Sequence, residues 1–266
     1  MSSVENGLSR AEQGAADALF MARTDLRAIA PIRETFELLD PAAAYRVQEA
    51  NTRRWLDSGR RLSGRKIGLT SKAVQAQLGV GEPDYGMLWS DDAYTDGDTI
   101  PLTRFMQAKI EAEIAFVMDD GLTGNDISLA SLMGAIAYCV PAIEIVDSAI
   151  ESWNIRLADT IADNASGGAY VLGASPRLLA GADLRLCGML MTRGDEVVSS
   201  GLGAACLGHP LKAALWLARK MAEVGRPLQA GDIVLSGALG PMVAVQKDQR
   251  FTVEIQGFDP MTIAFT

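Results

Sequence analysis

Residues 109–117 alternate between polar and apolar side chains, and this period of two predicts a half-buried β-strand. Glu111 and Glu113 fall on one face and lie side by side, whereas the opposite face carries Ile110, Ala112, Ile114 and Phe116. Two like charges that close on an apolar strand repel each other unless a cation lies between them. Hard oxygen ligands favour magnesium, manganese or calcium over zinc or copper, so the pair indicates a divalent metal site. A solvated strand face is the alternative that this stretch leaves open.

The first part of the chain has a helical pattern. Residues 8–27 are rich in alanine with apolar residues at helical spacing, and Pro31 interrupts the pattern. Asp40 as N-cap and Pro41 in the first helical position predict the start of a second helix, which we expect to end at residues 57–59. This part holds no cluster of catalytic residue types, so we interpret it as a packing or oligomerisation element.

From about residue 60 onward, short strand-like runs are separated by glycine, proline and aspartate, as in an all-β or α+β domain. The first run, residues 65–69, places Lys66 among apolar residues and glycine, either as an edge-strand charge or as the cation of a site. Pro83 and Gly86 then bracket a predicted turn that would hold Asp84 on a short constrained loop. Aspartate is also a common turn residue, so a purely structural role stays open.

Helices are expected over residues 72–78 and 127–138, and a strand over residues 140–147. Glu144 lies on that strand between two isoleucines, in a run whose two faces are both apolar. A carboxylate in such surroundings is rarely free, and a third acidic metal ligand explains it economically.

Two loops of small residues can approach an anionic ligand. Residues 162–168 contain Ser166 and join a helix to a strand, so they can offer backbone amides and a hydroxyl, or be a plain connection. Residues 231–241 form a predicted strand that runs into a glycine-rich turn with Ser236 and Gly237, and such a turn lets the backbone come close to a small ligand.

Composition narrows the function classes. The 266 residues are 48% hydrophobic with a formal net charge of −9, which argues against nucleic-acid binding because phosphate contacts need basic patches. Cys139, Cys187 and Cys206 form neither a CxxC pattern nor a disulfide framework, which indicates a reducing cytosol. We expect neither a signal peptide nor a membrane span. His209, the only histidine, excludes a His-rich metal site and is interpreted as a capping or packing residue before a helix over residues 211–224.

Seven stretches stand in the order found in a known family: residues 66–71, 83–86, 110–115, 141–147, 162–166, 207–211 and 236–241. From about residue 40 to its C-terminus, the chain resembles the 2-hydroxypenta-2,4-dienoate hydratases of bacterial aromatic meta-cleavage pathways, within the fumarylacetoacetate hydrolase-like superfamily. The paired glutamates with a distant third are shared across that superfamily and indicate only a metal site. The stretches at 83–86 and 236–241 resemble the hydratase branch more specifically. Glu82 and Ser236 depart from that branch, which often has an amide and a threonine there.

The resemblance implies an α+β fold: a mixed β-roll catalytic domain over residues 63–266 behind a helical N-terminal lobe over residues 1–62. It also implies a cytoplasmic homo-oligomer. The implied cofactor is Mg²⁺ or Mn²⁺, held by Glu111, Glu113 and Glu144.

The resemblance further implies a small substrate whose carboxylate and 2-hydroxyl or 2-oxo group chelate the metal. Water would add to 2-hydroxypenta-2,4-dienoate (2-oxopent-4-enoate) to give 4-hydroxy-2-oxopentanoate. Lys66 would bind the carboxylate or steady the enolate charge, and Asp84 would serve as acid/base. The implied lining of the substrate carboxylate is Ser166, Ser236 and Gly237.

Three alternatives stay open, two of them enzymes of the same family and the third from another class. The nearest is 4-oxalocrotonate decarboxylase, a sister branch that usually lacks an acidic residue at the place of Asp84. The second is a hydratase for a longer dioic acid such as 2-oxohept-4-ene-1,7-dioate, with Arg104 as the candidate cation for the distal carboxylate. The third is a catalytically silent subunit that supports a partner decarboxylase, which the retained glutamates, Lys66 and Asp84 argue against. A hydratase that works in complex with a pathway decarboxylase is also compatible with the sequence.

Overall fold

A computed structural model of the chain describes residues 7–72, 75–76, 80–124 and 126–266. Its α-helices over these residues include α1 (Arg10–Asp25), α2 (Ile32–Thr35), α3 (Pro41–Asp57), α4 (Leu129–Gly134), α5 (Leu157–Ala162) and α6 (Pro210–Glu223). The predicted cap of the second long helix is confirmed, because the Asp40 carboxylate accepts hydrogen bonds from the backbone N–H groups of Ala42 and Ala43. His209 caps α6, since its Nδ1 accepts from the backbone N–H of Leu211. Within the described ranges, no helix is long and apolar enough to cross a membrane.

The strands form two sheets. Their bounds are β1 (Leu62–Gly68), β2 (Asp84–Trp89), β3 (Ala93–Thr95), β4 (Thr99–Ile100), β5 (Lys109–Met118), β6 (Ile136–Val146), β7 (Gly167–Leu172), β8 (Gly188–Arg193), β9 (Glu196–Leu202), β10 (Ile233–Leu235), β11 (Val243–Ala244), β12 (Arg250–Ile255) and β13 (Met261–Phe265). The larger sheet has the order β2-β1-β10-β5-β6-β7-β3, with β11 also paired to β5, and the smaller has the order β4-β13-β12-β8-β9. Both sheets mix parallel and antiparallel pairs, which confirms the predicted mixed α+β architecture.

The predicted turn at residues 83–86 is wrong. Asp84 opens strand β2, where Gly86 lies opposite Lys66 in the antiparallel pair with β1. Gly86 serves close approach rather than a turn, because a Cβ atom there would lie 2.3 Å from the carbonyl oxygen of Asn164.

The helix predicted over residues 127–138 is too long. Helix α4 ends at Gly134, and from Ile136 the chain pairs with β5, where Tyr138 lies opposite Val117. The tertiary pairing along β5 overrides the local helical pattern. Of the helix predicted over residues 72–78, residues 72, 75 and 76 are helical and the rest lies outside the described residues.

The N-terminal helices share their core with the rest of the chain. Side chains of α1 and α3 such as Leu19 and Val47 are fully buried in a cluster that also contains Ala149, Ile150 and Ile161 of the later chain. The lobe boundary at residue 62 stays a prediction. The hydrophobic core of α1 and α3 is shared with the later chain rather than separate from it.

Arg23 of α1 joins the lobe to the body by ionic contacts. Its Nη2 donates to Asp163 Oδ1 at 2.7 Å and to the backbone oxygen of Asp147 at 2.6 Å. Its Nη1 lies 3.5 Å from Asp147 Oδ2, and both carboxylates are buried. Burial raises the pKa of the Asp163 carboxyl to about 6, although the Arg23 guanidinium opposes that rise. Removing this cation would leave two buried carboxylates without their shared partner.

We therefore expect Arg23→Met to lower the free energy of unfolding by about 3 kcal/mol at pH 8. The loss should be smaller at pH 5.5. A carboxyl whose folded-state pKa is raised binds its proton more tightly in the folded protein, so the penalty grows as pH rises through that pKa. Urea unfolding at both pH values measures the effect. Arg193→Met, which removes an exposed pair with Glu196, is the control and should cost less than about 0.5 kcal/mol. A pH-independent loss in Arg23→Met would contradict this account.

Candidate metal centre and active site

Three glutamates converge at the centre of the larger sheet. The antiparallel register of β5 and β6 places Glu111 directly opposite Glu144, and Glu113 lies two residues further along the same face of β5. Each of the three offers one carboxylate oxygen, and these oxygens lie within 4.8 Å of one another. Glu113 and Glu144 are fully buried, whereas Glu111 is half-buried. The sequence-predicted trio is therefore brought together.

Lys66 is the cation nearest to this cluster. Its Nζ lies 2.9 Å from Glu144 Oε1, and both side chains are almost completely buried. Burial by itself would lower the pKa of the Lys66 ammonium, but the Glu144 and Asp84 carboxylates hold it above its ordinary value. Lys66 is thus a site cation, and the edge-strand interpretation is excluded because β1 lies between β2 and β10.

Asp84 lies beside Lys66 at the start of β2. Its Oδ2 accepts a hydrogen bond from the Thr160 hydroxyl at 3.2 Å, whereas its Oδ1 is buried and has no hydrogen-bond partner in the part of the chain described. Gly68 gives the carboxylate its room, because a Cβ at that position would lie 2.2 Å from Oδ1. Burial raises the pKa of the Asp84 carboxyl, and the Lys66 charge and the Thr160 hydroxyl only partly oppose that rise.

The pKa values of Glu111 and Glu113 are raised. Burial and the neighbouring Glu144 charge raise the pKa of Glu111 to about 7. Burial, with Glu144 and Glu111 adding like charge, raises the pKa of Glu113 well above its usual range. Glu113 Oε2 accepts a hydrogen bond from the backbone N–H of Gly237 at 2.7 Å, but its Oε1 is buried without a hydrogen-bond partner among the described residues.

This arrangement fits a hard divalent cation. The donors are carboxylate oxygens of the kind that magnesium and manganese prefer. A cation between them would offset the mutual repulsion and would give the unpartnered Glu113 oxygen a ligand.

A cavity of about 560 Å³ opens onto the cluster. Its polar end is formed by Lys66, Asp84, Glu111 and Ser166, and Lys66 is the one cationic side chain among the lining residues described. Its remaining wall is mostly apolar and includes Val146, Trp153, Ile155, Leu202, Leu239, Pro241 and Met242. The cavity thus suits a small molecule with an anionic head and an uncharged tail.

Ser166 reaches the cavity through an unusual backbone path. Asn164, Ala165 and Ser166 are consecutive non-glycine residues with φ values of 56°, 51° and 52°. This left-handed turn costs conformational energy, and such strain concentrates at functional sites. Ser166 Oγ is buried and has no hydrogen-bond partner among the described residues, so it is a donor available to a ligand.

Ser236 and Gly237 lie differently from Ser166. Neither is among the residues that line the cavity, and the fully buried Ser236 hydroxyl is 3.4 Å from the backbone oxygen of Gly237. Gly237 has a φ of 101° and holds Glu113 through its N–H. Substrate contact by these two residues stays a prediction, and the structure gives Gly237 a role in orienting a carboxylate.

Sequence reasoning missed Thr160 and the cavity wall around Trp153 and Met242. Thr160 lies in an ordinary helical stretch with no local signal for a role beside Asp84. Gly68 left a weak signal, since a glycine inside a strand often marks a close approach.

Comparisons of the sequence and the structure relate this chain to known proteins. A family model described as the C-terminal part of fumarylacetoacetate (FAA) hydrolase matches residues 60–265. The chain is 55% identical to 2-keto-4-pentenoate hydratase 1 of Dechloromonas aromatica (strain RCB) over 253 residues, which is 95% of this chain and 96% of the relative. It is also 55% identical to a Pseudomonas putida (strain F1) protein named TodF product hydratase over 265 residues, covering 100% of this chain and 99% of the relative.

Among solved structures, 4-oxalocrotonate decarboxylase from Pseudomonas putida G7, complexed with magnesium and adipate, has a TM-score of 0.93 at 33% identity. The match covers 98% of this chain and 100% of that chain. The chain therefore belongs to the fumarylacetoacetate hydrolase family and, within it, to the branch of the 2-keto-4-pentenoate hydratases.

Proposed function

We propose that this chain is a metal-dependent hydratase that converts 2-hydroxypenta-2,4-dienoate, a tautomer of 2-keto-4-pentenoate, to 4-hydroxy-2-oxopentanoate. The observation that carries the proposal is one cavity lined by Lys66, Asp84 and Glu111, where Glu111 belongs to the cluster that it forms with Glu113 and Glu144. The 55% identity to proteins named 2-keto-4-pentenoate hydratase, over nearly the whole chain, supports the substrate assignment. The reaction belongs to the meta-cleavage catabolism of aromatic compounds.

Glu111, Glu113 and Glu144 would hold Mg²⁺ or Mn²⁺. When bound, the ion supplies Lewis-acid stabilisation of negative charge on the 2-oxygen of the substrate. The backbone N–H of Gly237 fixes the Glu113 carboxylate, and the Lys66 ammonium fixes the Glu144 carboxylate. These two contacts orient the ligand oxygens before any ion arrives.

Lys66 and Ser166 would receive the anionic end of the substrate. Lys66 lies at the polar end of the cavity and keeps its proton because carboxylates surround it. Ser166 adds a hydroxyl donor whose oxygen is otherwise unpartnered among the described residues. Together they would position the substrate carboxylate and steady the charge that develops on the enolate.

Asp84 would be the acid/base group. Its raised pKa favours proton retention, and the unpartnered Oδ1 is the atom from which a proton would pass to C5 of the dienol. Ketonisation forms the C5–H bond with the Asp84 proton and releases the 2-hydroxyl proton to solvent, which gives an enone whose C4 is electrophilic. The ionised Asp84 would then orient the water and accept its proton as the water oxygen adds to C4, while C3 takes up a proton from solvent. One water is added in total, and Asp84 ends protonated.

The position of Arg104 argues against a longer dioic acid as the substrate. Arg104 lies outside the site cavity. It contacts Asp92 and Tyr94 and lines a separate cavity. Without a second cation among the lining residues that the structure describes, a distal carboxylate would be buried unpaired. The decarboxylase shares the fold at a TM-score of 0.93, so the case against it depends on Asp84 and on the higher identity to the hydratases.

The proposal is tested by incubating the protein with 2-hydroxypenta-2,4-dienoate and MgCl₂. Loss of the dienol absorbance follows turnover, and NMR identifies the product. A parallel incubation with 4-oxalocrotonate distinguishes hydration from release of CO₂. Formation of 2-hydroxypentadienoate from 4-oxalocrotonate, with no 4-hydroxy-2-oxopentanoate from the dienoate, would replace the hydratase by the decarboxylase.

We also propose that residues 1–62 form a lobe on a catalytic domain of residues 63–266, and that the protein is a cytoplasmic homo-oligomer able to associate with a pathway decarboxylase. The three cysteines are free, which suits a reducing compartment. Sedimentation equilibrium is expected to give a multiple of the 28.3 kDa chain mass, and a monomer at micromolar concentration would contradict the assembly.

Metal removal tests the glutamate cluster. Glu111→Gln, Glu113→Gln and Glu144→Gln should each lose Mn²⁺ affinity in calorimetry together with most activity.

In the wild type, the chelated protein should have a lower melting temperature than the metal-loaded form. Metal at a hundred times its Kd should raise the free energy of unfolding by about 2.7 kcal/mol. The melting temperature of the metal-free protein should fall further from pH 6 to pH 8. At a pH below their raised pKa values, Glu111 and Glu113 are protonated and favour the folded state; as the pH rises above those values, the carboxylates ionise and repel each other. Full activity after exhaustive chelation would end the metal hypothesis.

Asp84→Asn tests the acid/base role. The amide keeps the shape of the carboxylate but neither donates nor accepts the transferred proton, so kcat should fall about a hundred-fold or more while KM changes little. Deuterium incorporation at C5 in D₂O reports ketonisation, and appearance of the C4 alcohol reports hydration. Near-normal turnover would reduce Asp84 to a structural residue and remove its support for a hydratase.

A further inference from the structure

The strand that carries Asp84 lies at an edge of the sheet. Strand β2 pairs with β1 on one side only, as the terminal strand of the larger sheet. The outward backbone groups of an edge strand need other partners, and the strand can shift or fray without them. Any such shift would move Asp84, which opens the strand.

Side-chain amides supply some of these partners. Asn164 accepts from the backbone N–H of Met87 at 2.7 Å and donates to the backbone oxygen of Met87 at 3.0 Å. Two residues before Met87, the backbone oxygen of Tyr85 accepts a hydrogen bond from Nε2 of Gln48, a residue of α3, at 2.8 Å. The half-buried Asn164 and the buried Gln48 thus hold β2 on the side that β1 does not cover.

Gln48 makes a second contact that Asn164 does not. The same Nε2 donates to the backbone oxygen of Ile161 at 2.9 Å, so its two protons are shared between β2 and α5. Tyr85 follows Asp84, and Ile161 follows Thr160. Gln48 therefore ties together the two backbone segments whose side chains form the Thr160–Asp84 hydrogen bond. It is 3% exposed, so water cannot readily take over its role.

From this geometry we infer that Gln48 is a positioning residue for catalysis, which sets Asp84 against Thr160 from the N-terminal helical lobe. The inference rests on the proposed function, because it assumes that Asp84 handles the proton. It gives the lobe a catalytic task beyond packing. It also explains why a polar side chain stands among the buried apolar residues of α3, beside Ala44 and Val47.

Gln48→Met tests the inference, because methionine has a similar length and no donor. We expect kcat to fall about ten- to hundred-fold through misplacement of Asp84, with KM within about twofold of the wild type. In a Thr160→Val background the same change should cost less than about threefold, since the hydrogen bond through which Gln48 acts is already gone.

Asn51→Leu is the matched control. Asn51 is also a buried carboxamide of α3, but it donates to the backbone oxygen of Ala16 inside the lobe. Its loss should lower the melting temperature about as much as Gln48→Met does, with kcat unchanged and the same small effect in both backgrounds. If Gln48→Met does not fold, Gln48→Asn takes its place as the test variant, because asparagine retracts the amide by one methylene.

Hydrogen exchange measures the same contact without any activity assay. Amides of β2 and α5 should exchange faster in Gln48→Met than in the wild type or in Asn51→Leu. A kcat within twofold of the wild type, or an equal loss in both backgrounds, would overturn the catalytic role. Unchanged exchange in β2 would overturn the positioning itself. Absence of 4-hydroxy-2-oxopentanoate with the wild-type protein would instead sink the proposed function, and the exchange data would still decide whether Gln48 holds β2.

Discussion

The burial of like charges is the constraint on which this structure depends. Glu111, Glu113 and Glu144 cluster beside a cavity that Glu111 and Asp84 line, and Lys66 is the one cation among the lining residues described. Two unit charges 4 Å apart repel by about 4 kcal/mol at an effective dielectric constant near 20. The fold tolerates the cluster because β5 and β6 hold the glutamates on paired strands, and because Lys66 and the Gly237 amide each bind one carboxylate. The remaining repulsion is what a divalent cation would offset.

Close backbone approach makes this crowding possible. Gly68 and Gly86 lie on the paired strands β1 and β2, and each occupies a place where a Cβ atom would lie within 2.3 Å of another group. One leaves room for the Asp84 carboxylate, and the other for the left-handed turn that carries Ser166. The glycines therefore determine how near the Asp84 carboxylate and the Ser166 hydroxyl can come to Lys66.

The helical lobe belongs to this arrangement. Its core includes Ile150 and Ile161, its Arg23 binds the carboxylate of Asp163, and its Gln48 contacts both β2 and α5. The segment from residue 147 to residue 166 is held from the lobe side by these contacts and forms part of the cavity on its other side. Packing of the lobe and geometry of the site are thus linked through the same backbone.

The sequence by itself determined the alternating strand with Glu111 and Glu113, the apolar setting of Glu144 and the Asp40 cap of α3, because these depend on side-chain period and on neighbours within a few residues. It was wrong where a distant partner decides the conformation. Residues 83–86 have the composition of a turn, but from Asp84 they extend along β1. Residues 136–138 continue a helical pattern but pair with β5. Only the tertiary structure decided that Lys66 binds Glu144, that Thr160 donates to Asp84 and that Arg104 lies outside the cavity. These contacts join residues far apart in the chain, and their geometry follows from sheet order and strand register, which no local pattern encodes.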